Sequence, residues 1–217
     1  MAFCRMHPVS KAARRKFIAQ SVALGTALML PSIAQAGRLR QLAGNVAVNG
    51  KAANAATEIR SLDVVTTGAG SSAVLVMGKD ALLIRANSEV ELLGKPNTVA
   101  LTGLRMLTGA VLGVFGKGGG RQVLTGTATI GIRGTGIYME ASAEQTYFCT
   151  CYGDVSIEDQ HRGERHLVLS GYHSPNVIYA AKKDGAMMQK AQFINHTDEE
   201  LVMLEKLVGR KPPFVKP

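Results

Sequence analysis

The sequence of 217 residues lacks tryptophan, contains only three cysteines and has a modest 19% of charged residues. This low charged fraction, beside a hydrophobic fraction of 46%, excludes an intrinsically disordered chain. No segment after the first 36 residues is long and apolar enough to cross a bilayer. Glycine is abundant, at 24 residues, and the chain is rich in β-branched residues. We therefore expect one medium-sized domain with an apolar core, built from short strands and tight turns.

The formal net charge of +9 overstates how basic the folded part of the protein is. Residues 1–36 contain five basic side chains and no acidic one. Without those five, 20 basic residues stand against 16 acidic ones, and the remaining net charge of +4 is spread thinly along the chain. Nucleic-acid binding requires a clustered basic face, so we do not expect a nucleic acid as partner.

The first 36 residues have the pattern of an export signal. A basic stretch ends at Lys16, a weakly apolar run of about 14 residues follows, and “AQA” at 34–36 has the small-x-small pattern of a cleavage site. The apolar run is shorter than the roughly 20 residues that span a bilayer, which argues against a retained membrane anchor. A retained anchor or a buried helix is the alternative to a cleaved signal. We predict a signal peptide over 1–36, a mature protein in the periplasm or secreted, and no stable membrane span after cleavage.

Within this signal, the arginine pair at 14–15 and the Phe-Ile pair at 17–18 resemble a twin-arginine motif. Ala13 and Ala19 depart from that motif, which leaves the Sec route open. The distinction matters because the twin-arginine route exports proteins that have already folded. A cofactor could then be loaded in the cytoplasm.

From residue 37 to about 170 the hydrophobic pattern is that of β-strands. The stretch “NVAVNG” at 45–50 alternates into an Asn-Gly turn, the strongest short signal for a hairpin. Later stretches combine β-branched residues with glycines that permit bulges or a close backbone approach. We predict an all-β fold over 37–170, either solenoid-like or a sandwich, and a C-terminal extension over 171–217.

The C-terminal extension contains a helix with a clear start signal. Thr197 is placed as the N-cap, and Glu200 completes a capping box. Leu201 and Leu204 begin an apolar face at helical spacing. We predict a helix over about 198–208 whose apolar face packs on the β domain, with a partner-binding helix as the alternative.

The order of motifs in the β region resembles the FecR domain. The segments that carry the resemblance are “GNVAVNG” (44–50), “LDVVTTGAGSSAVLVM” (62–77), “ALLIRANSEVEL” (81–92), “GAVLGVF” (109–115), “LTGTATIGIRGTGIYM” (124–139) and “TYFCTCYGDVSI” (146–157). The most specific piece is Arg133-Gly134-Thr135, which matches the centre of the family's Val-Arg-Gly-Thr-x-Phe box. The resemblance covers about 42–170 and implies an all-β binding or interaction module outside the inner membrane.

The best-known FecR-type proteins transmit iron-uptake signals to a sigma factor through a cytoplasmic domain and a membrane helix. Because we assign the first 36 residues to export, we expect only the periplasmic module here, and not the sigma-regulating part. The resemblance thus favours a role in envelope signalling. It does not identify the partner, which is a protein or another envelope ligand.

The most chemically suggestive stretch is “TYFCTCYGD” at 146–154, which contains Cys149 and Cys151. On a strand, both sulfur atoms lie on one face together with Tyr147. A disulfide is geometrically marginal, because residues two apart on a strand have Cα atoms roughly 6.6 Å apart, near the upper limit of about 6.8 Å for a bridge. Three interpretations stay open: half of a metal site, a disulfide or redox pair, and two buried unreactive thiols.

All histidines of the expected mature protein follow this cysteine pair. They are His161, His166, His173 and His196. His161 lies among charged residues and is expected in a solvated loop, whereas His196 is expected to hydrogen-bond near the start of the helix. The predicted ligands for Zn or Cu are Cys149, Cys151, His166 and His173. Two sulfur and two nitrogen ligands suit these metals, although the spacing matches no standard zinc-finger pattern.

No sequence motif supports catalysis. The chain has no Gly-x-Ser-x-Gly, His-Glu-x-x-His or catalytic Cys-x-x-Cys motif, and the glycine-rich loop 116–122 does not match a P-loop. Glu89 and Glu91 share a strand face and are expected to be solvated; a cell-wall hydrolase would require a carboxylate cleft. Arg133 could bind an anion, but we expect it to brace the backbone. We predict a non-enzymatic binding protein, with a metal-binding or redox protein that uses the cysteine pair as the alternative.

Overall fold

The computed structural model describes residues 36–159 and 165–216, so the predicted signal peptide lies almost entirely outside the described residues. Fifteen strands in the described part form one hydrogen-bonded sheet, which confirms the all-β fold class. The strands are β1 (Gly37–Ala43), β2 (Val46–Val48), β3 (Lys51–Ala52), β4 (Glu58–Ile59), β5 (Val64–Thr67), β6 (Ser72–Met77), β7 (Asp80–Ile84), β8 (Glu89–Gly94), β9 (Leu101–Val114), β10 (Arg121–Leu124), β11 (Ala128–Ala141), β12 (Gln145–Asp159), β13 (Arg165–Ser170), β14 (Ser174–Lys183) and β15 (Ala186–Lys190).

The main path through the sheet runs in the order β15-β14-β12-β11-β10-β9-β7-β6-β1-β4. Strand β13 adds to β12, while β2, β3, β5 and β8 form a branch that joins β9. The pairings are antiparallel except for the parallel pair β9–β10. Strands β14 and β15 lie within the predicted C-terminal extension and continue the same sheet.

The longest strands change partners along their length. Strand β12, of 15 residues, pairs with β14 through its first half and with β13 through its second half. Between these halves the register with β11 shifts: Gly136 lies opposite Tyr152 and Ile137 lies opposite Thr150, so Cys151 has no partner on β11. This β-bulge, followed by Gly153 at a φ of 93°, changes which side chains face each side of the sheet. The prediction that glycines permit bulges here is confirmed.

The sheet therefore has two apolar faces. The larger core contains Ile130, Phe148 and Val155, among other buried residues. A smaller cluster on the other face contains Leu112 and Tyr138 of the sheet and is covered by a helix. We call this second face the outer face.

The covering helix, α1 (Asp198–Leu207), has the capping box that the sequence predicts. The backbone N–H of Glu200 donates to Thr197 Oγ1 at 3.3 Å, and the Thr197 N–H donates to the Glu200 carboxylate at 3.0 Å. Leu201 and Leu204 are fully buried against the outer face. No helix within the described residues is long and apolar enough to cross a membrane.

Candidate metal centre

Four side chains that can ligate a metal meet on the outer face of the sheet, beside α1. Cys149 and Cys151 come from β12, His173 from the turn between β13 and β14, and His196 from the linker between β15 and α1. Their ligand atoms all lie within 4.8 Å of one another. Three distant parts of the chain therefore contribute to one cluster.

His173 is held by its backbone and by a carboxylate. Its φ of 33° is unusual for a residue with a side chain, and its N–H donates to the Cys151 carbonyl at 2.9 Å. The ring atom Nε2 lies 2.9 Å from Oδ1 of Asp198. Because a carboxylate accepts hydrogen bonds, we assign the ring proton to Nε2. The lone pair on Nδ1 then faces the Cys149 sulfur, 3.6 Å away.

His196 is oriented in the same way by a backbone carbonyl. Its Nδ1 lies 2.7 Å from the Ile194 carbonyl oxygen, which places the ring proton on Nδ1 and the lone pair on Nε2. This Nε2 is 3.4 Å from the Cys151 sulfur and 3.3 Å from Nδ1 of His173. The imidazole stacks on Tyr138 with ring centroids 4.4 Å apart and an interplanar angle of 21°. Two nitrogen lone pairs and two sulfur atoms therefore converge on one small volume.

The spacing of these atoms fits a tetrahedral ion. With Zn–S bonds of about 2.3 Å and Zn–N bonds of about 2.0–2.1 Å, tetrahedral geometry separates the two nitrogens by about 3.3 Å and each sulfur from each nitrogen by about 3.6 Å. The observed distance between the nitrogens is 3.3 Å. The observed sulfur–nitrogen distances are 3.6 Å and 3.4 Å. Three of the six separations between ligand atoms thus match a tetrahedral site, and the other three lie within 4.8 Å.

The cluster is closed to solvent. Both cysteines are fully buried, and His196 is only 3% exposed. The Phe193 ring packs over both imidazoles, with centroid separations of 4.4 Å in each case. Four protein ligands in a buried setting are typical of structural metal sites, whereas catalytic sites keep one position open for water or substrate.

The two thiols differ in acidity. Hydrogen bonding with the Cys151 thiol, aided by the imidazoles of His196 and His173 and opposed by burial, lowers the pKa of Cys149 to about 5. Burial raises the pKa of Cys151 well above its usual value, and the neighbouring Cys149 raises it further. Since thiolates are the form that binds metals, Cys149 is the readier ligand of the pair.

The structure brings together three of the four predicted ligands, Cys149, Cys151 and His173. It places the fourth, His166, on β13 opposite Ile157, away from the cluster. The physical reason is the antiparallel register of β12 and β13: Gly153 pairs with Ser170, so the end of β13, not its start, returns to Cys151. His161 lies outside the described residues. The prediction for His166 is therefore corrected in favour of His196.

The sequence analysis predicts for His196 only a hydrogen bond near the start of the helix, and does not include it among the metal ligands. The imidazole does bond to the backbone there, but its other nitrogen faces Cys151. The available signal was the position of His196 next to the N-cap of a helix that packs on the cysteine face. Using that signal required knowing where the helix docks, which depends on long-range packing.

A second feature is a groove on the sheet surface that is lined by no residue of α1. It has a volume of about 690 Å³ and is lined by strand and loop residues from β8 to β13. Arg133 lies in this groove and is exposed, and its side chain makes no hydrogen bond to the backbone within the described residues. At one side of the groove, β13 pairs with β12 alone among the described strands and exposes Leu167 and Leu169, each by 77%.

The rest of the predicted Arg-Gly-Thr box has a structural role. Gly134 adopts a φ of 62°, and the carbonyl of Thr135 accepts a hydrogen bond from the Phe115 N–H at 2.9 Å. A side chain at Gly136 would collide with the ring of Tyr152. The box therefore shapes the register shift between β11 and β12 that sits beside the cysteine pair.

The sequence matches no family profile and no curated protein. Among solved structures, the chain is similar to a candidate anti-sigma factor from Parabacteroides distasonis, in crystal structures at 1.65 Å and 2.50 Å resolution. The TM-scores are 0.47 and 0.48, and the sequence identity is 12% in both comparisons. Each alignment covers 59% of this chain and 58% of the neighbour, which is less than two thirds of the neighbour's length.

Proposed function

We propose that this is a metal-binding β-sheet protein in which Cys149, Cys151, His173 and His196 hold one Zn²⁺ ion. The observation that carries the proposal is the convergence of four ligand atoms within 4.8 Å of one another. The nitrogens lie 3.3 Å apart, and two sulfur–nitrogen pairs lie 3.4 Å and 3.6 Å apart. Asp198 and the Ile194 carbonyl would fix both imidazoles in the ligating tautomer. With four protein ligands, the ion would have a structural, non-catalytic role; Cu⁺ is the competing ion, since thiolates also favour it.

The test is the zinc content of the purified protein, measured by mass spectrometry after reconstitution with Zn²⁺ and removal of excess metal. Wild-type protein should hold close to one zinc per chain. The variants Cys149→Ser and His196→Gln should lose it. Circular dichroism would check that each variant remains folded.

His166→Gln is the matched control, because it removes an imidazole that lies outside the cluster. It should retain zinc. Retention by His196→Gln together with loss by His166→Gln would overturn the ligand set. A wild-type protein that never takes up zinc and contains a Cys149–Cys151 disulfide would support a redox role instead.

A second candidate function is that of an exported, FecR-type interaction module, which the free edge of β13 favours. An edge strand offers unpaired backbone N–H and C=O groups, and alternate side chains give specificity when another chain adds a strand. Leu167 and Leu169 are such alternate residues, and both are exposed beside the groove. We propose that an extended segment of an envelope protein pairs with β13, and that the protein acts outside the inner membrane without enzymatic activity.

Photo-crosslinking tests this second function. A crosslinking amino acid at position 167 or 169 should trap one defined protein in cells, whereas the same amino acid at exposed position 199 should not. A synthetic peptide from the trapped region should then bind the wild-type protein and fail to bind Leu167→Asp. Equal crosslinking at all three positions, or a peptide that binds both proteins alike, would contradict the proposal.

A further inference from the structure

We infer that the metal ion controls the docking of the C-terminal segment, Gln192–Val208, onto the outer face of the sheet. Loss of the metal would release this segment and uncover the apolar residues beneath it. The inference rests on the proposed function, since it gives that metal a regulatory consequence. It concerns the linker and α1 together, and not the sheet, which has its own core.

The ligand set joins the two sides of this interface. The cysteines belong to β12, within the sheet, while His196 belongs to the segment that would move. One bound ion would therefore link sheet and segment directly. Asp198, the first residue of α1, adds a second link through its hydrogen bond to His173 at 2.9 Å.

The linker has few other anchors. Of residues 192–197, His196 alone is buried, and the other five are exposed. The other ties of the linker are of two kinds. The hydroxyl of the buried Tyr147 donates to the Gln192 carbonyl at 3.0 Å and accepts from the Ile194 N–H at 3.3 Å. Nearer the surface, Arg85 donates to the Asn195 carbonyl at 2.9 Å. The surface contacts are readily replaced by water, whereas the Tyr147 contacts hold the start of the linker. The position of the linker's end, next to α1, therefore depends mainly on what holds the His196 imidazole.

The helix is held mainly through its residues from Leu201 onward, where the Glu205 carboxylate also accepts a hydrogen bond from the hydroxyl of the buried Tyr152. Its buried residues are Leu201, Leu204 and Glu205. The ion pair between Arg85 and Glu200 is partly solvated, with side chains 30% and 26% exposed. A ten-residue helix is marginal without tertiary contacts, so α1 should fray from its first turn once His196 is released.

Release would change the surface of the protein. The residues under the segment include Leu83, Leu112, Val114 and Tyr138, all buried in the docked form. Exposed together, they would form an apolar patch of the kind that marks interaction sites. Metal loading would thus decide whether the outer face is covered.

Hydrogen exchange measured by mass spectrometry tests this in the full chain. Peptides covering 194–207 should exchange about ten-fold faster or more after chelation of the metal, and added Zn²⁺ should restore slow exchange. Peptides from β5 and β8, which lie away from α1, should be unchanged. Unchanged exchange over 194–207 in a protein shown to bind and release zinc would overturn the inference alone; a protein that binds no zinc would overturn the metal centre as well.

A reciprocal experiment weakens the packing of α1 on the sheet without changing any of the four metal ligands. Because coupling between two equilibria is mutual, Leu204→Ala should weaken zinc affinity by about five-fold or more. Val202→Ala, on the exposed side of the same helix, is the control and should bind zinc as the wild type does. Equal zinc affinity of Leu204→Ala and wild type would show that docking and metal binding are independent.

Discussion

The Cys151 sulfur lies 3.4 Å from Nε2 of His196, although 45 residues separate the two in sequence. The contact joins the bulge of β12 to the linker that precedes α1. It exists because β12 turns both cysteines toward the outer face and because α1 docks on that same face. The two facts together place the two cysteine sulfur atoms opposite the two imidazoles.

Asp198→Asn should weaken zinc binding, because the carboxylate fixes the orientation and the tautomer of the His173 ring. Loss of a group that hydrogen-bonds to a metal-ligating histidine typically lowers metal affinity by about 10–100-fold. Competition with a chromophoric chelator measures this affinity. The Asp198 carboxylate is not itself a proposed metal ligand. The variant should therefore still bind one zinc ion per chain at saturating zinc.

Glu199→Gln is the control for this prediction. It removes the same charge from the same helix turn, but Glu199 is exposed and makes no hydrogen bond within the described residues. Its zinc affinity should equal that of the wild type. Equal losses in both variants would attribute the effect to the helix dipole and not to the contact with His173.

Leu204→Ala should destabilise the zinc-loaded protein by about 2–4 kcal/mol, because Leu204 is fully buried between α1 and the sheet. Val202→Ala, at a position 37% exposed on the same helix, should change the free energy of unfolding by less than about 0.5 kcal/mol. Urea unfolding followed by circular dichroism measures both. Similar effects of the two substitutions would mean that α1 does not pack as described.

Gly136→Ala should destabilise the protein by about 1–3 kcal/mol, because the added methyl group would collide with the buried ring of Tyr152. Gly120→Ala has open space around the new methyl group and should be nearly neutral. Thermal unfolding of the two variants under identical zinc loading makes the comparison. A neutral Gly136→Ala would contradict the close approach of β11 and β12 beside the cysteines.

Asp80→Asn should destabilise the fold by about 3–5 kcal/mol, since it leaves the buried guanidinium of Arg121 without its charge partner. Asp80 contacts Arg121 at 3.0 Å through both carboxylate oxygens, and their side chains are only 2% and 10% exposed. Glu91→Gln, in the solvated pair with Arg105, should cost less than about 1 kcal/mol. Equal costs in denaturant unfolding would show that burial does not distinguish the two pairs.

The strands and the helix could be predicted from the sequence because their signals are local. Alternating apolar residues, Asn-Gly turns and the Thr197–Glu200 capping box each act over a few residues. The same-face placement of Cys149 and Cys151 also follows from strand geometry alone. These parts of the prediction agree with the structure.

The complete candidate site could not be predicted, since it depends on register and docking. Choosing between His166 and His173 required the pairing of β12 with β13, in which Ser170 lies opposite Gly153. Finding His196 required the position of α1 on the outer face, which is set by the burial of Leu201 and Leu204. Neither the register of β12 with β13 nor the docking position of α1 can be read from a short sequence motif.

X-ray absorption spectroscopy at the zinc edge of the reconstituted protein tests the central claim most directly. The account predicts one zinc per chain with two sulfur neighbours at about 2.3 Å and two nitrogen neighbours at about 2.0–2.1 Å. Cys151→Ser, like Cys149→Ser, should lose the zinc, while His166→Gln should give the wild-type spectrum. A shell of nitrogen and oxygen atoms alone, or a protein that retains no zinc, would contradict a Cys₂His₂ centre.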